Sequence, residues 1–236
     1  MTWSIVARDA SGAFGVAIAS RFFAVGALCP AARSFKGALS SQALMNPLYV
    51  RDGLAALEAG TSASRIVARL TAADPGRDVR QFHVVDAAGR AAAHTGSKCI
   101  EWCGHLAGDG FSVAGNMLAG AQVIERCARA YEDNAALAFA ERLIAAMDAG
   151  EAAGGDKRGK QAAALLVCTT EDYPFLDLRV DDHAEPLAEL RRLHGVSLER
   201  FQPFVSCLAS RESAAGLTDR AAIEAEIARF NAARAR

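Results

Sequence analysis

Two apolar runs open the chain. Thr2-Trp3-Ser4-Ile5-Val6-Ala7, within a β-compatible stretch over residues 2–9, and Phe14-Gly15-Val16-Ala17-Ile18-Ala19-Ser20 flank a turn at Asp9-Ala10-Ser11-Gly12. Short apolar runs around a Gly-containing turn read as an antiparallel strand pair. Gly37–Gln42 predicts another short strand, and from Pro47 to Asp74 the spacing becomes helical. There Leu54, Leu57, Ile66, Val67 and Leu70 form apolar faces, with Gly60 as a stop and Thr61 or Ser62 as the next cap. Gln81–Asp86 and Arg90–Thr95 around Ala87-Ala88-Gly89 give a hairpin, followed by strand-like pieces at Ile100–Cys103 and Phe111–Ala114.

Alanine-rich segments near 119–133 and 135–149 predict two long helices. A Gly-rich loop over 154–160 feeds a strand at Ala162–Cys168. A short strand at Leu176–Val180 precedes a helix near 185–194, and a last helix over roughly 218–233 aligns Ile223, Ile227 and Phe230. Strands, two helices, strands, two helices and strands make an α+β order rather than regular βαβ alternation. It implies antiparallel sheets whose outer faces are covered by helix pairs, over residues 1–195, with a helical C-terminal extension over 196–236.

Composition narrows the partners. The formal net charge of −1 gives no long-range attraction to polyanions, so nucleic acid and acidic membranes are poor partner choices. Six cysteines scattered over 236 residues do not make a dense disulfide framework. The start reads directly as a strand, without a basic region and apolar leader, and no run approaches the length of a membrane span. A cytoplasmic protein without a cofactor is the expectation. The alanine-rich helices and terminal Ile/Phe stripe favour a homo-oligomer, a dimer in the simplest case.

The candidate chemistry begins at Thr2. If Met1 is removed, Thr2 carries both a hydroxyl and an α-amine. That amine has an ordinary pKa of about 7.7–8.0, so it can act as the hydroxyl's own base near neutral pH. His94 and Asn116 lie at predicted strand ends, where they either orient a substrate or merely close the hairpin and turn. Asn46 before Pro47 is either a cleft residue or, preferably, a helix cap. Asp156 and Arg158 in the Gly-rich loop either meet a substrate carboxylate or remain solvated. Cys99, Cys103, His94 and His105 lack the paired spacing of a zinc site, and Asp181-Asp182-His183 more simply ends a strand, so no metal is expected.

The hairpin 2–21 resembles the opening of N-terminal-nucleophile hydrolases, including proteasome β subunits. The stretches Ser20-Arg21-Phe22-Phe23-Ala24-Val25-Gly26, Gln42-Ala43-Leu44-Met45-Asn46-Pro47, Gly115-Asn116-Met117-Leu118 and Gly154-Gly155-Asp156-Lys157-Arg158-Gly159 resemble the DUF1028 family, placed in that superfamily. The resemblance covers residues 1 to about 195 and implies a four-layer αββα sandwich. It also implies hydrolysis of a small amide or peptide-like bond by Thr2, with Ser20 and Arg21 at the superfamily's Ser-Arg pair. Lys36 falls near the position of its catalytic lysine, Arg21 or Lys36 would tune charge, and donors near Gly115-Asn116 would hold the oxyanion. Ala19 stands where the proteasome-like pattern has an aspartate. That departure supports the alternative of a non-catalytic ligand-binding or assembly protein on the same fold.

Overall fold

The computed structural model describes residues 2–234. Contacts divide the chain into two units, Met1–Leu190 and Arg191–Arg236. Among the described residues the first holds ten strands: β1 (Thr2–Arg8), β2 (Phe14–Ser20), β3 (Pro30–Arg33), β4 (Gly37–Ala43), β5 (Arg80–Asp86), β6 (Ala91–Thr95), β7 (Trp102–Gly108), β8 (Phe111–Leu118), β9 (Ala162–Cys168) and β10 (Leu176–Val180). They form a six-stranded sheet in the order β10-β9-β2-β1-β8-β7 and a four-stranded sheet β3-β4-β5-β6, with every named pair antiparallel.

Side chains alternate between the two faces of each strand. In β1, Ser4 and Val6 point toward the other sheet, where Val6, Phe14 and Val16 pack with Ala38 and Val85. Trp3 points the opposite way, toward helices α3 (Gln122–Asp133) and α4 (Phe139–Ala152). A Cβ on Gly15 would lie 2.7 Å from Leu143 Cδ1, so glycine there lets α4 settle close to the sheet. On the far side, α1 (Pro47–Glu58) and α2 (Ala63–Ala73) bury Tyr49, Leu57 and Ile66 against Leu39, Phe82 and Val84 of the smaller sheet. The layers are therefore helices, sheet, sheet, helices. Because both faces are covered, β1 and β2 are buried almost throughout, which explains their near-continuous apolar runs.

The differences from the sequence reading have local causes. β3 gives no strand signal in the sequence because it starts with Pro30 and contains two alanines; it lies at a sheet edge, where proline is tolerated. β7 extends to Gly108, also at an edge, where half-exposed and small residues leave a weak pattern. Helix α4 begins at Phe139 rather than near 135, because the chain turns with Leu137 N–H donating to the Asn134 carbonyl.

Helix α5 (Pro186–Glu199) is followed by the short α6 (Phe201–Val205) and by α7 (Arg220–Arg234). Within the second unit, the Arg200 guanidinium grips the Glu224 carboxylate at 2.5 and 2.9 Å, and Ile227 is the buried residue of α7. No described helix is long and apolar enough to cross a membrane.

Candidate active site at the start of the first strand

Thr2 begins β1 in the interior of the six-stranded sheet, with Ser20 of β2 opposite on one side and Asn116 of β8 on the other. Directly opposed residues in an antiparallel pair share a face. Thr2, Ser20 and Asn116 therefore all face the space between the sheets, and Thr2 Oγ1 donates to Ser20 Oγ at 3.1 Å. Thr2 is 6% exposed. Ala19 opposes Trp3 and faces the helical layer instead. Met1, whose removal would free the Thr2 amine, lies outside the described residues.

Next to this trio the inter-sheet layer becomes polar. Its hydrogen-bond directions follow from two backbone carbonyls. Gln81 lies 3.0 Å from the Gly104 carbonyl and 2.8 Å from that of Gly115, so the Gln81 atom there must be the amide nitrogen. Its other atom, Oε1, then accepts from Gln42 Nε2 at 2.7 Å and Asn116 Nδ2 at 3.0 Å. Gln42 Oε1 in turn accepts the single Ser4 hydroxyl proton at 2.6 Å. With that proton committed, Ser4 can only accept from His83 Nε2 at 2.9 Å. The imidazole is thus an Nε2–H tautomer whose Nδ1 accepts from Ser112 Oγ at 3.1 Å. Burial, helped by the nearby His105 and opposed by the Ser112 backbone, pushes the His83 pKa down to about 3, so the ring is neutral as the chain of bonds requires. One Asn116 N–H is held by Gln81, leaving the second for another acceptor.

The Gly-rich loop closes the same end of the sheet. Asp156 bridges to Leu118, and its buried carboxylate accepts from the Arg21 backbone N–H at 2.8 Å and the Arg158 N–H at 2.8 Å. The Arg158 guanidinium reaches Asp156 at 3.3 Å, and Arg21 Nη1 donates to the Arg158 carbonyl at 2.7 Å. Since Arg21 follows Ser20 and Leu118 lies two residues past Asn116, Asp156 links the ends of β2 and β8 on either side of β1's first residue.

Three other candidate residues lie apart from this cluster. Lys36 is exposed at the β3–β4 hairpin tip, and the chain from it to Gln42 spans roughly 20 Å at strand spacing. Asn46 caps α1, its Oδ1 accepting from Leu48 N–H at 3.0 Å and its Nδ2 donating to Asp74 at 3.3 Å. His94 Nε2 donates to the Arg77 carbonyl at 2.9 Å, while its neighbour Thr95 takes the inter-sheet side with Gln81. The sequence reading passed over Ser4, Gln42, Gln81, His83 and Ser112 as site residues. Their signal was polar side chains at inward positions of otherwise apolar strands.

Beside Asn116 the backbone is irregular. Gly104 opposes Gly115 and Trp102 opposes Leu118, so Asn116 and Met117 together face the single residue Cys103: a β-bulge. Met117 has φ +53° and Ala43, after Gln42, has φ +66°, left-handed values that cost a non-glycine residue about 1–2 kcal/mol. Between them opens a cavity of about 290 Å³ lined by Asn116, Met117, Ala43, Leu44, Val79 and Ile100. Lys98 also borders it, paired with Asp78 at 3.4 Å, as does Cys99, whose thiol is pushed up by burial and by Cys103. Among the described residues, no group of three His, Cys, Asp or Glu side chains is placed to hold a metal ion.

The fold and site together define a layered αββα protein with a polar cluster around the first residue of a central strand. A family model described as a family of unknown function, DUF1028, matches residues 2–190, and the chain belongs to that family. It is similar to the crystal structure of protein SPO2555 from Silicibacter pomeroyi, also of DUF1028, with 29% identity and a TM-score of 0.85 over 93% of this chain and 96% of that one. No curated protein matches.

Proposed function

We propose that the protein is an amidohydrolase of the N-terminal-nucleophile superfamily, acting on a small amide or peptide-like bond. The observation that carries this reading is the setting of Thr2: first in its strand, hydrogen-bonded to Ser20, opposite Asn116, and beside the carboxylate that closes the strand's end. In the mature chain the α-amine of Thr2 continues β1 toward Asp156. It takes the hydroxyl proton, directly or through water, as Oγ1 attacks the carbonyl carbon. The free N–H of Asn116 receives the developing oxyanion. Collapse breaks the C–N bond, the leaving amine takes the proton from the α-ammonium, and water then hydrolyses the threonyl ester. Asp156 favours the ammonium state during this cycle, a role that a carboxylate at position 19, on the helical side of the sheet, would be poorly aimed to fill. Lys36 takes no step.

Intact mass and a panel of small amides and acyl amino acids test the reading. The expected results are loss of Met1, turnover by the wild type, and a fall of at least a thousandfold in Thr2→Ala. Retained Met1 or unchanged turnover in Thr2→Ala overturns it. Ligand binding without turnover in a Met1-free protein favours the non-catalytic alternative, which Ala19 motivates. Self-association belongs to the same reading, and light scattering of the full chain checks it.

A further inference from the structure

We infer that the cavity beside Asn116 receives the acyl side of the scissile amide, and that this acyl group is apolar and of medium length. The inference rests on the reading of Thr2 as nucleophile, and it specifies the substrate class for that site.

Position supplies the first argument. Asn116 opposes Thr2 across the β1–β8 pair and also lines the cavity, so a carbonyl held between them has one substituent beside the cavity mouth. The leaving amine must collect its proton from the Thr2 amine, which lies toward Asp156 at the strand end. The other substituent, the acyl group, is therefore the one directed into the cavity.

Chemistry and size supply the second. Ala43, Leu44, Val79, Ile100 and Met117 give walls without fixed charge, and the cation that borders them, Lys98, already has Asp78. The neutral Cys99 thiol adds a weakly polar surface. At about 30 Å³ per water-sized group, 290 Å³ holds roughly nine or ten such groups. An acetyl group would leave most of that space to water against apolar walls, whereas a chain of about six carbons displaces it.

Backbone shape supplies the third. The cavity is bounded by two left-handed non-glycine residues, each directly after an amide of the polar chain: Ala43 after Gln42, and Met117 after Asn116. Such conformations persist where their surroundings over-determine them. Here Leu44 N–H donates to the Val79 carbonyl at 3.2 Å, and Met117 N–H to the Ile100 carbonyl at 3.1 Å. The polar chain and these two bonds hold the walls apart before any ligand arrives.

Calorimetric or NMR titration of the full chain with acetamide, hexanamide and leucinamide tests the proposal. Hexanamide or leucinamide should bind at least tenfold more tightly than acetamide. The tighter of the two identifies a fatty-acyl or an aminoacyl source for the same apolar group. Met117→Trp and Ile100→Trp, each checked for folding by its thermal transition, should lower that affinity at least tenfold, whereas Lys36→Ala, at the exposed hairpin tip, should stay within twofold. Met117→Gly enlarges the cavity and should move the preference from hexanamide toward decanamide, which decides the matter if the tryptophan variants do not fold. Equal binding of acetamide and the longer amides overturns the proposal, as does tight binding unchanged in all the cavity variants. Cavity-dependent binding with no hydrolysis of the bound amide by the Met1-free protein overturns the catalytic reading alone. Acylation of Thr2 to the same extent at every chain length overturns the cavity assignment alone.

Discussion

The two ends of the layer between the sheets are built from the same strands and follow opposite rules. At one end Val6, Phe14, Val16, Ala38 and Val85 pack as an ordinary apolar core. At the other, only a few residues along β1, β5 and β8, the space is filled by Thr2, Ser4, Gln42, Gln81, His83, Ser112 and Asn116, each with a hydrogen-bond partner, and by Ser40, whose buried hydroxyl has none among the described residues. An apolar filling would have been the simpler way to stabilise two packed sheets, since buried polar groups gain little net energy when paired and cost much when orphaned. The difference teaches that the first end holds the layers together while the second fixes directions. From two carbonyls of β7 and β8, one chain of donors sets the Asn116 amide and the His83 tautomer alike.

The contrast should break most visibly at the apolar end. Phe14→Ala removes a ring buried to 1% exposure and should destabilise the protein by about 3–5 kcal/mol, as measured by denaturant unfolding. Substrate binding in the surviving folded fraction should change little. Gln81→Leu has nearly the same volume but strands the partners on both sides of the amide, and should cost about 2–3 kcal/mol. Unlike Phe14→Ala, it should also weaken amide binding, because Asn116 loses the bond that fixes its orientation. Equal effects of the two variants on binding would erase the proposed division of labour.

Acid probes the polar end alone. His83 stays neutral in the fold down to about pH 3, whereas in the unfolded chain it takes a proton near its ordinary 6.5. Below pH 6.5 the unfolded state therefore binds a proton that the folded state refuses. Its contribution to stability is complete above that pH and falls on acidification by up to about 1.4 kcal/mol per unit. Unfolding free energies at pH 7.5 and 5.5 should differ more for the wild type than for His83→Gln, whose amide can still donate toward Ser4. A wild-type slope equal to that of His83→Gln would mean that the ring is charged or solvated in the fold.

The apolar end was legible in the sequence and the polar end was not, for one physical reason. Alternation and run length report which strands are covered on both faces, so β1, β2, β4, β5 and β9 could be read with short errors and β8 over its first half, and the order of elements gave the layers. A polar residue within such a strand carries no mark of which neighbour satisfies it. Gln81 and His83 sit two apart in an apolar run, but their partners come from β1, β4, β6, β7 and β8, separations that only the sheet register defines. Thr2 is a candidate from its hydroxyl and α-amine, and Asn116 and Asp156 from a strand end and a Gly-rich loop, while the family resemblance adds Ser20 across the hairpin and Lys36 further along the chain. Lys36 shows the limit of that transfer: a match by distance along the chain placed it near a nucleophile, whereas the hairpin turns it toward solvent at the far end of β4.

The smallest expected effect is the most specific to the boundary between the two ends and the cavity. Ala43→Gly deletes one methyl group from a half-buried residue held at φ +66°. Relief of the left-handed strain favours the variant by about 1 kcal/mol. The greater freedom of glycine in the unfolded chain opposes it by about 0.4–1 kcal/mol. The net change in stability should lie within about 0.5 kcal/mol of zero, inside the range of ordinary surface substitutions. Binding should respond differently, because the methyl group is part of the cavity wall and its loss lets Leu44 and the end of β4 sample other conformations. Hexanamide affinity should fall two- to fivefold at unchanged stability. If stability instead drops by more than about 1 kcal/mol with affinity intact, Ala43 is a packing residue and its strained backbone serves the fold rather than the site.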